Sequence, residues 1–165
     1  MESQLPYYKE PNQIPGYLPS IHEIHAATIT LPTNISSTRI VVIENKFVVK
    51  YGPYVPEIEG FNLLFVERMM PSIPSPRLYA MFREAEMLYL VMDYLPGKTL
   101  SSLWPTLSIQ AKKSITHQLR GILDKMRSVP APQEGEFFAS LRNSRSGNGW
   151  LVPCLLGVRE CICNF

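Results

Sequence analysis

The segment that most constrains the fold is residues 39–52, RIVVIENKFVVKYG. Two apolar, β-branched runs flank the polar break Glu44-Asn45-Lys46, which predicts a β-hairpin. Lys50 lies within the otherwise apolar second run, so its ammonium must either reach water or meet an anion. Two interpretations follow: an edge-strand lysine that discourages pairing between sheets, or a cation that serves a site in the fold.

Composition limits the class of protein. The chain has 165 residues, of which 45% are hydrophobic and 18% charged, which indicates one globular domain with a real core. The net charge of +2 is too small to argue for nucleic acid or an anionic membrane as a partner. Because no apolar run approaches the roughly 20 residues of a membrane span and the N-terminus lacks a basic-then-apolar signal, a cytoplasmic location is expected.

The first part of the chain predicts an arm followed by two helices on either side of the hairpin. Residues 1–19 are polar and rich in proline and are expected to form a loose arm. Ser20 and Glu23 fit a capping box, which predicts a short helix ending before Pro32. A second helix is predicted over residues 57–69. Its apolar side chains recur at helical spacing and predict one buried face, formed by Ile58, Phe61, Leu64, Phe65 and Met69.

The remaining pattern changes from strands to helices. Strands are predicted over residues 77–82 and 87–92, and the break at residues 93–97 ends the second one. Beyond it, Thr99 and Ser108 are predicted to cap a short helix and a long helix. The long helix, residues 109–127, has a predicted buried side of Ile109, Ile115, Leu119, Ile122, Leu123 and Met126. Its lysines and arginines are expected to form a solvated face.

The histidines and cysteines of this chain predict neither a metal site nor a disulfide. His22 and His25 have i, i+3 spacing, but no further ligand lies nearby to complete a metal shell. Exposed helix histidines are therefore expected. The three cysteines all lie within the last dozen residues, and an odd number in one tail does not make a disulfide framework. No metal site and no disulfide is predicted.

Four sequence blocks carry a resemblance to a known family. FVVKYG, EIEGFNLLFVE, SIPSPRLYAMF and YLVMDYLPGKTL, in this order, resemble the N-lobe and hinge of fungal aminoglycoside phosphotransferase-like proteins, within the protein-kinase-like superfamily. The resemblance implies an α+β fold in which a small antiparallel sheet with one helix, residues 20–93, follows the arm. The hinge and the first helices of an incomplete C-lobe would occupy residues 94–132, and a divergent tail residues 133–165.

The resemblance also implies a binding site and cofactors. By position, Lys50 corresponds to the phosphate-binding lysine, and Met92 to the residue at the back of the adenine pocket. The Asp93 carbonyl and the Leu95 N–H would pair with adenine, although a simple strand-to-helix turn is the alternative for these two residues. The family uses ATP and magnesium to transfer a phosphoryl group to a small-molecule hydroxyl.

Two departures from the family set the functional expectation. The helix glutamate that pairs with the lysine falls at Phe61, and Glu59 lies about 160° around the helix from it. Glu57 or Glu59 could substitute by a different route. With Lys50 poorly held, we expect weak nucleotide binding at best.

The second departure concerns catalysis. The family supplies its catalytic residues from an H-x-D-x-x-x-x-N loop and a later aspartate, whereas the only aspartates here are Asp93 and Asp124. We therefore expect a truncated phosphotransferase-like chain without activity of its own and assign no catalytic residue. The alternative is a non-catalytic kinase-like module that binds or regulates a partner. Self-association through an exposed apolar face of the long helix is also expected.

Overall fold

The computed structural model describes residues 5–129 and has a mixed α+β architecture. These residues form one six-stranded antiparallel sheet and four α-helices, and none of the helices is long and apolar enough to cross a membrane. The strands are β1 Tyr7–Tyr8, β2 Ile29–Thr30, β3 Arg39–Ile43, β4 Phe47–Gly52, β5 Leu78–Glu84 and β6 Met87–Asp93. The helices are α1 Ile21–Ala26, α2 Glu57–Met69, α3 Leu100–Leu103 and α4 Ile109–Ser128, with single 3-10 turns at Pro11–Gln13 and Trp104–Thr106.

The predicted hairpin is present and lies inside the sheet. Strand order is β1-β5-β6-β4-β3-β2, so β4 has β6 on one side and β3 on the other. Glu44 and Asn45 adopt φ values of 51° and 53°, the left-handed conformation that a tight hairpin turn requires. Because β4 has a hydrogen-bonded neighbour on each side, the interpretation of Lys50 as an edge-strand lysine is wrong.

The N-terminal residues belong to the fold rather than to a loose arm. Tyr7 and Tyr8 pair with β5 and extend the sheet at that edge. The Lys9 N–H donates to the Tyr79 carbonyl at 2.8 Å, and the Lys9 ammonium forms an ion pair with Glu67 of α2. The prediction of a loose arm over residues 1–19 is therefore wrong for residues 7–9, because β5 offers them an unpaired backbone edge.

One face of the sheet carries a row of stacked aromatic rings. The rings of Tyr8, Phe82, Tyr89, Tyr51 and His25 follow one another with centroid distances of 6.0, 5.1, 5.3 and 5.3 Å. His25 comes from α1, which begins at the predicted Ser20–Glu23 capping box and ends at Ala26. Its Nε2 lies 3.0 Å from the Tyr89 hydroxyl oxygen, so α1 is fastened to the sheet by both stacking and a hydrogen bond.

Helix α2 packs on the opposite face, with a different side inward from the one predicted. Its bounds match the prediction, but its buried residues are Gly60, Asn62, Leu63 and Val66, whereas Met69 is 49% exposed. Gly60 explains the difference. A Cβ atom at this position would lie 2.5 Å from the Met81 sulfur and 3.1 Å from a Leu90 methyl carbon, so the helix backbone itself contacts the sheet. The prediction of the buried face used only the spacing of large apolar residues and therefore missed the glycine at the centre of the inward face.

Helices α3 and α4 begin at the predicted caps. The Thr99 and Ser108 side chains accept hydrogen bonds from the N–H groups of Ser102 and Ala111. The predicted inward side of α4 is its less exposed side, since Ile115, Leu119, Ile122, Leu123 and Met126 are partly buried. The prediction is wrong for Ile109, which is 71% exposed, and no α4 residue is fully buried in the described part of the chain. The C-terminal end of α4 does contact α2. There Ile122, Met126 and Val129 pack against a small buried cluster formed by Val66, Met70 and Ile73.

The break at residues 93–97 separates the sheet from the helices, as predicted. Residues 87–92 lie in β6, and α3 and α4 follow the break. The predictions for residues 133–165 and for the three cysteines lie outside the described residues.

A pair of glycine substitutions tests the close contact at Gly60. In Gly60→Ala the new methyl group meets three fully buried side chains, Met81, Leu90 and Leu78, which have little room to move. We expect an overpacking cost of about 1–3 kcal/mol that exceeds the helix-propensity gain of about 1 kcal/mol. Urea unfolding would measure it.

Gly121→Ala in α4 is the matched control. A Cβ atom there has nothing within 4 Å, so only the propensity gain of up to about 1 kcal/mol applies and the variant should be slightly more stable. Two variants that change stability in the same direction and by the same amount would contradict the assignment of Gly60 as the contact point.

Candidate functional site

Lys50 lies in the middle of β4, on the face of the sheet that α2 covers. In the antiparallel register Lys50 stands between Ile40 of β3 and Leu90 of β6, and directly paired residues share a face. Leu90 packs in the same apolar cluster as Leu63 of α2, and Ile40 lies against that cluster. The lysine side chain therefore emerges among apolar neighbours beneath the helix.

The ammonium of Lys50 is held by a carboxylate from α2. Its Nζ lies 2.6 Å from Oε2 of Glu59, and the two side chains are 13% and 23% exposed. The expectation that Lys50 is poorly held because Phe61 replaces a glutamate is thus wrong. Since Gly60 faces the sheet, Glu59 and Phe61 lie about 100° to either side of it on the helix, and the flank that carries Glu59 is the one above β4.

The environment of the pair makes it energetically costly to separate. Charges removed from water lose hydration, which a close partner offsets only while both members are present. An ammonium has three N–H donors, and Glu59 engages one of them. The arrangement thus presents a fixed cation with remaining donor capacity on a rigid strand.

Met92 is brought to the same face as Lys50. It lies on β6 between Val48 of β4 and Leu78 of β5, is 9% exposed and belongs to the cluster that contains Leu90. Because alternate residues of a strand share a face, Met92 lies about 7 Å along the sheet from the strand position beside Lys50. Leu95 lies beyond the end of β6 and is 37% exposed.

The Asp93 side chain has a structural function at the end of β6. Its carboxylate accepts hydrogen bonds from the Arg77 N–H, at 2.9 Å, and from the Tyr79 hydroxyl. Burial and, next, the hydrogen bond to Asp93 raise the pKa of Tyr79 above its ordinary value, so the hydroxyl keeps its proton to higher pH than an ordinary tyrosine. The Asp93 N–H also donates to the Arg77 carbonyl, at 3.1 Å. These bonds fix the backbone at the point where the strand ends.

A separate, shallow depression of about 390 Å³ lies along the exposed side of α4. The lining residues are Ile109, Lys112, Lys113, Thr116, His117 and Arg120. The sequence predicted the lysines and arginines of this helix only as a solvated face. Within residues 5–129 no group of three or more His, Cys, Asp or Glu side chains is placed to hold a metal ion.

Comparison of the chain with models of protein families, with curated proteins and with solved structures finds no match.

A double-mutant cycle measures the coupling between Lys50 and Glu59. Each single variant, Lys50→Met or Glu59→Gln, leaves a half-buried polar partner without its counterpart, and we expect a loss of about 1–3 kcal/mol in the free energy of unfolding. The double variant should lose less than the sum, with a coupling of about 1–3 kcal/mol.

The hairpin turn supplies a matched control for this cycle. Lys46 and Glu44 form an ion pair at 3.0 Å, but their side chains are 48% and 46% exposed. Solvent screens such a pair, so the cycle with Lys46→Met and Glu44→Gln should give a coupling below about 1 kcal/mol. Equal coupling in both cycles would show that Glu59 does not hold Lys50 in solution.

Asp93→Asn tests the structural function of the Asp93 carboxylate. The amide loses the charge that Arg77 N–H and the Tyr79 hydroxyl both donate to, so we expect a loss of about 1–3 kcal/mol in urea unfolding. Asp124→Asn, on the exposed surface of α4, should change stability by less than about 0.5 kcal/mol. If Asp93→Asn is as stable as the original chain, the carboxylate does not stabilise the end of β6.

Proposed function

We propose that this chain is an aminoglycoside phosphotransferase-like, kinase-like domain whose sheet and α2 bind ATP, with Lys50 contacting the phosphates. The observation that supports it is the Lys50–Glu59 ion pair, which joins an interior strand to helix α2, packed on that face of the sheet. In kinase-like phosphotransferases a strand lysine neutralises nucleotide phosphates, and a helix glutamate must hold that lysine in place.

The position of the Lys50 ammonium beside Glu59 suits a contact with phosphate oxygens. Glu59 fixes the direction of the ammonium while leaving donors for phosphate oxygens, so little side-chain entropy is lost on binding. The nearby surroundings are apolar, and a low local dielectric strengthens an ammonium–phosphate contact relative to water. The pair therefore favours an anion that carries several oxygens.

The adenine would lie against Met92 and the end of β6. Met92 supplies an apolar surface, and the Asp93 carbonyl and Leu95 N–H are the proposed hydrogen-bonding groups. The side-chain bonds of Asp93 to Arg77 and Tyr79 support this proposal, because they keep the backbone at residue 93 in one conformation.

Phosphoryl transfer itself needs further groups. ATP enters such reactions with magnesium, which the family holds through an asparagine and an aspartate, and a further aspartate orients the acceptor hydroxyl. Among the 165 residues, Asp93 is engaged at the strand end and Asp124 lies beside Arg127 on α4 at 3.5 Å. The proposed activity of this chain is accordingly nucleotide binding, without transfer to a small-molecule hydroxyl.

Calorimetric titration with ATP and with adenosine tests the proposal. Both should bind the original chain, ATP more tightly because of its phosphates. Lys50→Met should weaken ATP binding about tenfold or more, the equivalent of one charge-assisted contact, and leave adenosine binding unchanged.

Lys46→Met, an exposed lysine four residues earlier on the same hairpin, is the control and should bind both ligands as the original chain does. Failure of the original chain to bind either ligand would refute the proposal. If Lys50→Met and Lys46→Met weaken ATP binding equally, the effect comes from the loss of one positive charge and not from a contact at Lys50.

A further inference from the structure

The depression on α4 has a uniform charge that the nucleotide proposal does not use. Lys112, Lys113 and Arg120 line it together with His117, and no carboxylate lies among the lining residues within the described part of the chain. These residues recur at helical spacing over residues 109–120, which places them on one face over about 16 Å of helix. The surface offers several cations in a row at a single helix face.

The same surface also has apolar and ordered parts. Ile109 is 71% exposed at one end of it, and the Lys112 ammonium lies 5.6 Å from the centre of the Trp104 ring. Lysine and arginine stems add apolar surface below their charged ends. A ligand that combines carboxylates with large apolar side chains would match both properties.

We propose that this face of α4 binds residues 133–138 of the same chain, QEGEFF. Between Val129 and Arg142 the only charged residues are Glu134 and Glu136, and two phenylalanines follow them directly. The segment therefore combines carboxylates with aromatic side chains, which complements the cationic and apolar surface of the depression.

Chain length allows the segment to reach the depression. Helix α4 ends at Ser128 with Val129 in an extended conformation, and two prolines, Pro130 and Pro132, follow in the sequence. Returning along the helix from Val129 covers about 14 Å to Arg120 and about 24 Å to Lys113 at 1.5 Å per residue. An extended chain of about 3.3 Å per residue reaches about 17 Å at Glu134 and about 23 Å at Glu136.

In the proposed arrangement Glu134 pairs with Arg120 and Glu136 with Lys113, and the phenylalanines are directed toward Ile109. Such contacts between exposed charges are sensitive to salt. A second copy of the chain could offer the same segment, so the experiment must separate contacts within one chain from contacts between chains.

Photo-crosslinking in the full chain tests the proposal. A benzoyl-phenylalanine introduced in place of Phe138 is irradiated, the products are separated by size, and the crosslinked peptides are identified by mass spectrometry. We expect crosslinks to residues 109–120 in material of monomer size, with a yield that falls as salt is raised.

Charge reversal provides the specific test. Glu134→Lys with Glu136→Lys should lower the yield about fivefold, and adding Lys113→Glu with Arg120→Glu should restore it. The control pair Lys98→Glu with Lys125→Glu makes the same change in net charge away from the depression and should not restore it.

Crosslinks to other parts of the protein, crosslinks found only in dimer-sized material, or rescue by the control pair would each overturn the proposal. Nucleotide binding does not enter this readout, so the result is independent of the function proposed for Lys50.

Discussion

The close packing of α2 on the sheet at Gly60 determines much of the rest of the structure. Without a side chain at this position, the helix backbone lies against Met81 and Leu90, and Phe61, Leu64 and Phe65 are only partly buried on the flanks of the helix. This orientation puts Glu59 above β4, where it reaches Lys50. A helix rotated to bury Phe61 at the centre would direct the carboxylate away from the lysine. One glycine therefore decides whether Lys50 has a carboxylate partner.

The two faces of the sheet are stabilised in different ways. On one face α2 covers an aliphatic cluster, and on the other a row of stacked rings extends from Tyr8 to His25 of α1. The N-terminal residues connect both faces, since β1 extends the sheet while Lys9 pairs with Glu67 on α2. The charged side chains that lie close to the core are paired, as expected where hydration is lost.

Asp93 and Lys50 illustrate how position determines what a charged residue does. Both lie on interior strands, but alternate residues of a strand face opposite sides of a sheet. Lys50 faces the helix and keeps donors beyond those that Glu59 engages, whereas the carboxylate of Asp93 accepts bonds from Arg77 and Tyr79. The lysine is consequently the group with capacity for a ligand, and the aspartate is the group that keeps the end of the strand fixed.

The sequence by itself determined the local elements. The β-branched runs around Glu44 and Asn45, the capping residues Ser20, Thr99 and Ser108, and the change of period at residue 93 all predicted elements that the structure contains. These signals depend on interactions within a few residues, such as turn conformation and cap hydrogen bonds, so neighbouring sequence suffices to read them.

Only the tertiary structure decided which side of each element faces inward and which charges meet. The edge of β5 accepted residues that looked like a loose arm, and Gly60 rather than Phe61 became the contact of α2. The pairing of Lys50 with Glu59 followed from that contact. The sequence had offered Glu57 or Glu59 as substitutes for the glutamate missing at position 61, but it did not decide between them. Such outcomes depend on the distance between surfaces far apart in the chain, which side-chain spacing along a single helix or strand does not specify.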